Sequence, residues 1–201
     1  QAVAENVVET TRGTVIGNNT MRISTIEHAL AALYAAGIDN CIITLNAPEL
    51  PILDGSAIEY AEKIDEVGIE EQDAEKDYYI VKQKIEVVDE KTGSSLIVLP
   101  DEDFSIDTMI EFDSAILQNQ FASLHSMKNF KSEIAASRTF VFVREIEALL
   151  NANLIKGGDL DNAIVIYDQP MSKEALDKIS NLIGIEGVEV SDLGYLNNKP
   201  L

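Results

Sequence analysis

Cysteine is nearly absent from this 201-residue sequence, in which Cys41 is the one residue of that type. A single cysteine cannot build a disulfide framework within the chain, and such scarcity is typical of proteins of the reducing cytoplasm. Because Cys41 lies in the apolar run Cys41-Ile42-Ile43, we predict that it is a small core residue. The sequence therefore gives no support to a disulfide-stabilised class.

Long apolar runs are also lacking, since no stretch approaches the roughly 20 residues that a membrane-spanning helix needs. Residues 1–5 have neither the basic region nor the apolar core of a signal peptide. They also contain no initiator methionine, so we interpret the sequence as part of a longer protein. We expect a cytoplasmic location and no transmembrane segment.

Positive charge is scarce, with 15 Lys and Arg against 35 Asp and Glu and a net charge of −20. Such a surface repels the phosphates of nucleic acids and of anionic lipids. The composition therefore argues against a nucleic-acid-binding class. Any site for an anionic small molecule has to be local.

A polar segment at residues 70–77 divides the sequence and is nearly free of bulky apolar side chains. We predict a first domain at 1–72, a linker at 73–77 and a second domain at 78–201. Helices mixed with mostly hairpin-linked strands predict an α+β fold in two domains.

The first part alternates strand and helix signals. Ser24 and Glu27 have the spacing of a capping box, which predicts a helix that starts after Ser24 and ends at Gly37. We further predict a strand at 21–23, a buried strand from Cys41 to Leu45, a loop from Pro48 to Gly55 and a helix from Ala57 to Val67.

The second part begins with segments rich in β-branched and aromatic residues, which favour strands. The predicted strands are 79–88, 95–99, 104–112, 140–142 and 163–167, with a hairpin turn at 91–93. The predicted helices are 129–135, 144–152 and 172–183.

The first candidate for chemistry is the adjacent pair Glu27 and His28. Neutral imidazole is a common zinc ligand, and a carboxylate beside it can take a proton from water. The pair alone is weak support, because such pairs are common and the capping box already explains Glu27.

Four further segments strengthen that interpretation. They are 37–40 with the loop Pro48-Glu49-Leu50-Pro51-Ile52-Leu53-Asp54-Gly55-Ser56, then Ser137-Arg138-Thr139-Phe140, and then Gly157-Gly158-Asp159-Leu160-Asp161-Asn162-Ala163. In this order and spacing the sequence closely resembles the UDP-3-O-acyl-N-acetylglucosamine deacetylase family. The stretch from Ser24 to Ser56 is the most specific part, and agreement is looser through 70–130 and 170–195.

The resemblance implies a zinc-dependent hydrolase that removes the N-acetyl group of UDP-3-O-(3-hydroxyacyl)-N-acetylglucosamine, the committed step of lipid A synthesis. It also implies two similar two-layer α/β sandwich domains with the active site between them. The first domain would lack its opening strands here, and the second its C-terminal part.

Three catalytic roles follow from the resemblance. His28 matches a zinc ligand, Glu27 matches the general base that takes the proton of the attacking water, and Thr139 matches the hydroxyl that stabilises the developing oxyanion. The matched substrate-binding positions are Phe112, Phe140, Phe142, Val143, Ile146, Gly158, Leu160 and Val165. Phe112 corresponds to an aromatic at the uridine end, and the aliphatic positions to an acyl passage. Without the resemblance, these apolar residues pass equally well as ordinary core.

The sequence also departs from the family pattern. Two further zinc ligands come from a His-Lys-x-x-Asp segment in the family, and a later histidine acts as general acid; we expect these beyond Leu201. His125, the second histidine of the chain, matches no motif, and we interpret it as a surface or structural residue. The 201 residues alone are therefore expected to be inactive. Some family members continue into a 3-hydroxyacyl-carrier-protein dehydratase, which is an expected fused partner.

Two other functions stay open. One is a non-catalytic relative that binds a nucleotide sugar or a partner. The other is an acidic two-domain interaction module without an active site.

Overall fold

The computed structural model describes residues 1–151, 161–183 and 193–196. Its helices are α1 Glu27–Ala35, α2 Ile58–Val67, α3 Phe130–Glu133, α4 Val143–Asn151 and α5 Lys173–Ile183. Its strands are β1 Val7–Glu9, β2 Val15–Gly17, β3 Arg22–Ile23, β4 Ile85–Val88, β5 Ser95–Val98, β6 Ile106–Ile110, β7 Gln120–Leu124, β8 Phe140–Phe142, β9 Ile164–Tyr167 and β10 Gly194–Tyr195. Helices and small, mostly antiparallel sheets confirm the α+β fold.

The strands form four small sheets. The first is the antiparallel order β1-β2-β3, and two hairpins, β4-β5 and β6-β7, make two more. The fourth has the order β10-β9-β8, in which β8 and β9 are parallel and β10 is antiparallel to β9. Parallel neighbours need a crossover connection, and helix α4 lies in the one between β8 and β9.

The sheet β10-β9-β8 packs against helices α4 and α5. All four residues of β9 are buried, as expected for a continuous apolar strand covered on both faces. Val143 and Ile146 of α4 and Ile179 of α5 pack against Val165 and Tyr167. This packing fixes strand β8, which begins directly after the predicted catalytic residue Thr139.

A second core joins parts of the chain on either side of residues 70–77. Ala32, Ala57 and Ala61 from α1 and α2 cluster with Leu124, Phe130 and Ala135. The backbone N–H of Ala57 also donates to the carbonyl oxygen of Ala135 at 2.9 Å. The two predicted domains therefore pack directly against each other, whereas the domain boundary itself stays a prediction.

The predicted linker forms neither helix nor strand, and its residues are exposed. Lys76 of the linker and Gln72 just before it both contact the loop after α1. Lys76 pairs with Asp39 at 2.8 Å, and Asn40 donates a hydrogen bond to the Gln72 side chain at 2.7 Å. The hydrogen bond that Lys76 donates to Asp39 raises the pKa of Lys76 above its ordinary value.

The predicted buried strand from Cys41 to Leu45 is wrong. Residues 41–45 have no strand structure, and Cys41 is exposed rather than a core residue. Ile42 is 95% exposed. A strand needs a neighbour that pairs with its backbone, and none of the strands in the described part of the chain lies beside this segment.

Most of the other predicted elements are confirmed with shorter bounds. The strand predicted at 79–88 begins only at Ile85, while the 91–93 turn and the strand Phe140–Phe142 are as expected. Strands β1, β2, β7 and β10 have no counterpart in the prediction. Among the described residues, none of the helices is both long and apolar enough to cross a membrane.

Candidate functional site

The entry into helix α1 is held by the loop that begins at Pro48. Ser24 donates its backbone N–H to the Pro48 carbonyl at 3.0 Å and accepts from the Leu50 N–H at 3.1 Å. Thr25 has a φ of 57° and donates its hydroxyl to the Glu49 carboxylate at 2.7 Å. The predicted capping box is therefore wrong: Ile26 occupies the N-cap position without a side-chain cap, and Ser24 pairs with the Pro48 loop instead.

Glu27 is the first residue of α1, and its carboxylate is directed at the turn between β1 and β2. Its Oε2 accepts the backbone N–H of Thr14 at 3.0 Å. Gly13 also lies close to this carboxylate, since a Cβ placed on Gly13 would lie 3.3 Å from Glu27 Oε1. A carboxylate held by a backbone donor has a defined orientation, which a general base requires.

His28 follows in the first turn of α1 and is half-buried. An imidazole in such a position can ligate a metal through one ring nitrogen. Within residues 1–151, 161–183 and 193–196, no group of three or more His, Cys, Asp or Glu side chains is arranged to hold a metal. His28 is thus a candidate for one ligand of a metal site.

The far end of the Pro48 loop is locked by its own side chains. Asp54 Oδ1 accepts the backbone N–H and the hydroxyl of Ser56, at 3.0 and 2.7 Å. Ser56 is fully buried, and its Oγ accepts the Ile58 N–H at the start of α2. Gly55 has a φ of +85°, a conformation that favours glycine.

Thr139 precedes β8 and is bonded on both sides through its backbone. Its N–H donates to the Gly55 carbonyl at 2.8 Å, and its own carbonyl accepts the Ile164 N–H at 2.8 Å. The residue is exposed. A rigid backbone and an exposed hydroxyl are compatible with the predicted contact to a developing oxyanion.

One loop therefore links all three predicted catalytic residues. Its start binds the residues that precede Glu27 and His28, and its end binds Thr139. A second link runs through an ion pair between Arg12, beside the turn that holds Glu27, and Glu145 in the first turn of α4. These contacts place the start of α1, β8 and α4 in one connected region.

The three predicted aromatic residues form one cluster. The rings of Phe112, Phe140 and Phe142 pack edge-to-face, with centroids 5.1 to 5.8 Å apart. Phe142 is only 2% exposed, and the Arg144 guanidinium lies 4.2 Å from its ring centroid. In this arrangement Phe142 acts as core, and Phe112 and Phe140 are the half-buried members at its edge.

The predicted aliphatic residues also meet. Val143, Ile146 and Val165 are 3%, 4% and 7% exposed and belong to the core between α4, β9 and α5. Gly158 and Leu160, which were predicted with them, lie outside the described residues. The binding roles of the whole set remain predictions.

The motifs did not reveal what supports Glu27. Gly13 and Thr14 are 14 and 13 positions away along the chain, and only the β1-β2 turn brings them to its carboxylate. The available signal was Gly13 itself, placed between two β-branched runs where a close backbone approach is common.

Known proteins are similar to this chain in sequence. A family model described as LpxC, UDP-3-O-acyl N-acetylglycosamine deacetylase, matches residues 1–180. The chain is 62% identical over 200 residues to the bifunctional enzyme LpxC/FabZ of Bacteroides thetaiotaomicron and covers 43% of that protein. The corresponding bifunctional enzyme of Porphyromonas gingivalis is 56% identical over the same length, again with 43% of the relative covered.

A shorter relative matches over most of the chain. The UDP-3-O-acyl-N-acetylglucosamine deacetylase of Helicobacter hepaticus is 43% identical over 175 residues, which are 86% of this chain and 58% of that protein. The chain thus spans less than two thirds of the length of each of these relatives. With a family model matched from residue 1 to residue 180, the chain belongs to the UDP-3-O-acyl N-acetylglycosamine deacetylase family.

Proposed function

We propose that this chain carries part of the active site of a zinc-dependent deacetylase that hydrolyses the N-acetyl group of UDP-3-O-(3-hydroxyacyl)-N-acetylglucosamine, the committed step of lipid A synthesis in the cytoplasm. The observation that carries the proposal is the pair Glu27 and His28, with the Glu27 carboxylate fixed by the Thr14 N–H. Family membership and the deacetylase names of the relatives support the reaction class.

Each catalytic residue has a distinct task. Glu27 takes the proton of the attacking water, while the general acid that protonates the leaving amine is proposed to be a histidine beyond Leu201. The Thr139 hydroxyl donates to the oxygen of the acetyl group as negative charge develops there, which is worth about 3 kcal/mol for a well-placed donor. His28 supplies one imidazole nitrogen to the metal.

The donor chemistry at the start of α1 fits zinc. A half-buried imidazole next to an oriented carboxylate is the combination that catalytic zinc sites use, with His as ligand and Glu as base. Zinc would lower the pKa of water at the site and polarise the acetyl oxygen. The remaining ligands are proposed to come from beyond Leu201, and the 201 residues alone are proposed to be inactive.

Substrate binding is proposed to use the two apolar clusters. Phe112 and Phe140 would contact the nucleotide and sugar, while Val143, Ile146 and Val165, with Gly158 and Leu160, would line the acyl passage. Each buried methylene of the acyl chain contributes about 0.8 kcal/mol. The first three are nearly closed from solvent in this structure.

A fused dehydratase is the proposed partner domain. The relatives from Bacteroides thetaiotaomicron and Porphyromonas gingivalis are both named bifunctional and are more than twice the length covered by this chain. Intact mass of the protein as its organism makes it would show whether a second enzyme follows.

The test is acetate release from the UDP-sugar by the protein as its organism makes it. Glu27→Gln removes the proton acceptor and should lower kcat by about 10²–10⁴-fold. Glu59→Gln, in the first turn of α2, is the matched control and should leave kcat unchanged. Substrate binding without acetate release by the unsubstituted protein would instead favour a non-catalytic sugar-binding module.

A further inference from the structure

Arg138, the neighbour of Thr139, bridges two loops through one side chain. Its Nε donates to the Asp54 carbonyl at 2.7 Å, and its Nη2 donates to the Asp161 carbonyl. The residue is half-buried. These contacts connect the end of the Pro48 loop with the residues that lead into β9.

Both loops also flank Thr139. Gly55, next to Asp54, accepts the Thr139 N–H, and Ile164 of β9 donates to the Thr139 carbonyl. The loops touch each other as well, because a Cβ on Gly55 would lie 2.1 Å from the Asn162 carbonyl oxygen and 3.2 Å from Thr139 Cγ2. Thr139 is thus held in a narrow gap between two loops.

The chemistry of arginine suits this bridge. Its planar guanidinium presents several N–H donors in a fixed fork, so one side chain can hold two carbonyl groups at a set separation. A hydrogen bond with a charged donor is about twice as strong as a neutral one. Lysine, a point charge on a flexible stem, cannot fix the same separation.

We propose that Arg138 is a positioning residue for Thr139. It holds the end of the Pro48 loop, at Asp54, and the segment that leads into β9, at Asp161, at the separation that orients the Thr139 hydroxyl. The inference rests on the proposed deacetylase function. Thr139 is exposed and lies directly before a three-residue strand, so its own backbone bonds depend on the two loops staying in place. A misplacement of about 1 Å costs about 100-fold in rate.

A double-mutant cycle measures whether Arg138 acts through Thr139. In the protein as its organism makes it, Arg138→Gln should lower kcat for acetate release by about 10–100-fold with little change in KM. In a Thr139→Ala background the same substitution should cost less than about 3-fold, because the hydroxyl that it aims is gone. Lys131→Gln, which removes an exposed cation paired with Asp65, is the control and should not change kcat.

Amide hydrogen exchange gives a readout that needs no activity. Arg138→Gln should speed exchange at Thr139 and Ile164, whose N–H groups bond within this gap, and should leave α2 unchanged. Arg138→Lys, which keeps the charge and folds more readily, should show the same pattern in weaker form.

Two results would overturn the inference. One is a double variant whose loss of kcat equals the product of the two single losses, which places the effect of Arg138 elsewhere. The other is unchanged exchange at Thr139 and Ile164 in folded Arg138→Gln. If the unsubstituted protein releases no acetate, the proposed function fails, and the exchange measurement still decides whether Arg138 holds Thr139.

Discussion

Tyr60 connects helix α2 with the loop that carries Asp54. Its hydroxyl donates to the Pro51 carbonyl at 2.7 Å, and its ring packs against the cluster of Ile26, Ala29 and Leu50. Burial raises the pKa of Tyr60 above its ordinary value of 10.0. A single side chain thereby secures the middle of the loop that links Glu27 to Thr139.

Tyr60→Phe should lower the free energy of unfolding by about 1 kcal/mol, the usual net worth of one neutral hydrogen bond. Because the folded pKa is raised, the stabilisation linked to the protonated phenol is complete below the unfolded pKa of about 10 and is lost as pH rises through the folded pKa. Urea unfolding at neutral pH measures the change.

Tyr34→Phe serves as the control for this experiment. Tyr34 is 54% exposed, and its ring contact with Phe104 survives loss of the hydroxyl. Its substitution should change stability by less than about 0.5 kcal/mol. Equal effects of the two substitutions would contradict the role assigned to the Tyr60 bond.

The sequence was sufficient to predict which residues are candidates for the site, but not which groups hold those residues in place. Glu27, His28 and Thr139 lie in ordered motifs that the sequence displays directly. The Thr14 N–H that holds Glu27 is a backbone group, and any residue except proline would supply it. Its position depends on the β1-β2 turn, which no local pattern specifies.

The hairpin β4-β5 is defined by the chemistry of its turn. Asp89 accepts the Lys91 N–H at 3.0 Å and the Thr92 hydroxyl at 2.9 Å, and Gly93 adopts a φ of +73°. The Lys91 hydrogen bond and then that of Thr92 hold the pKa of Asp89 below its ordinary value. Local turn residues were sufficient to predict this element.

The carboxyl of Asp89 should therefore titrate below the reference value of about 3.9, as followed by its carbon-13 shift. Since its folded pKa is depressed, its contribution to hairpin stability is present above the unfolded pKa and is lost as pH falls through the folded pKa. Thr92→Val removes one donor and should raise the Asp89 pKa part of the way back. Titration at or above 3.9 in the unsubstituted protein would refute the turn assignment.

Elements that depend on distant partners were predicted less well. The run from Cys41 to Leu45 has strong strand preference, yet it forms no strand and its first four residues lie exposed, because strand propensity does not supply a pairing partner. Tyr79 and Ile80 have the same preference and are 86% and 71% exposed. By contrast, β9 was predictable because its four apolar residues are all buried, Val165 and Tyr167 against α4 and α5 and Ile164 and Ile166 against Leu117 and Phe142.

The whole molecule joins its two predicted halves through a small-residue core. Ala32, Ala57 and Ala61 allow α1 and α2 to approach the segment with Phe130 and Ala135 closely. Residues 70–77 are exposed, but composition could not show this contact, because alanines on a helix give only a weak apolar signal.

Zinc affinity measured by calorimetry tests whether a metal is ligated by His28 at the start of α1. The metal-free protein, as its organism makes it, would be titrated beside His28→Ala and the control His125→Ala. His125 is exposed after β7 and matches no ligand motif. His28→Ala should weaken zinc binding by more than about 100-fold, since loss of a neighbour behind a ligand already costs about 10–100-fold. His125→Ala should bind like the unsubstituted protein. Unchanged affinity in His28→Ala would contradict the account, because zinc would then be held by other residues or not at this site.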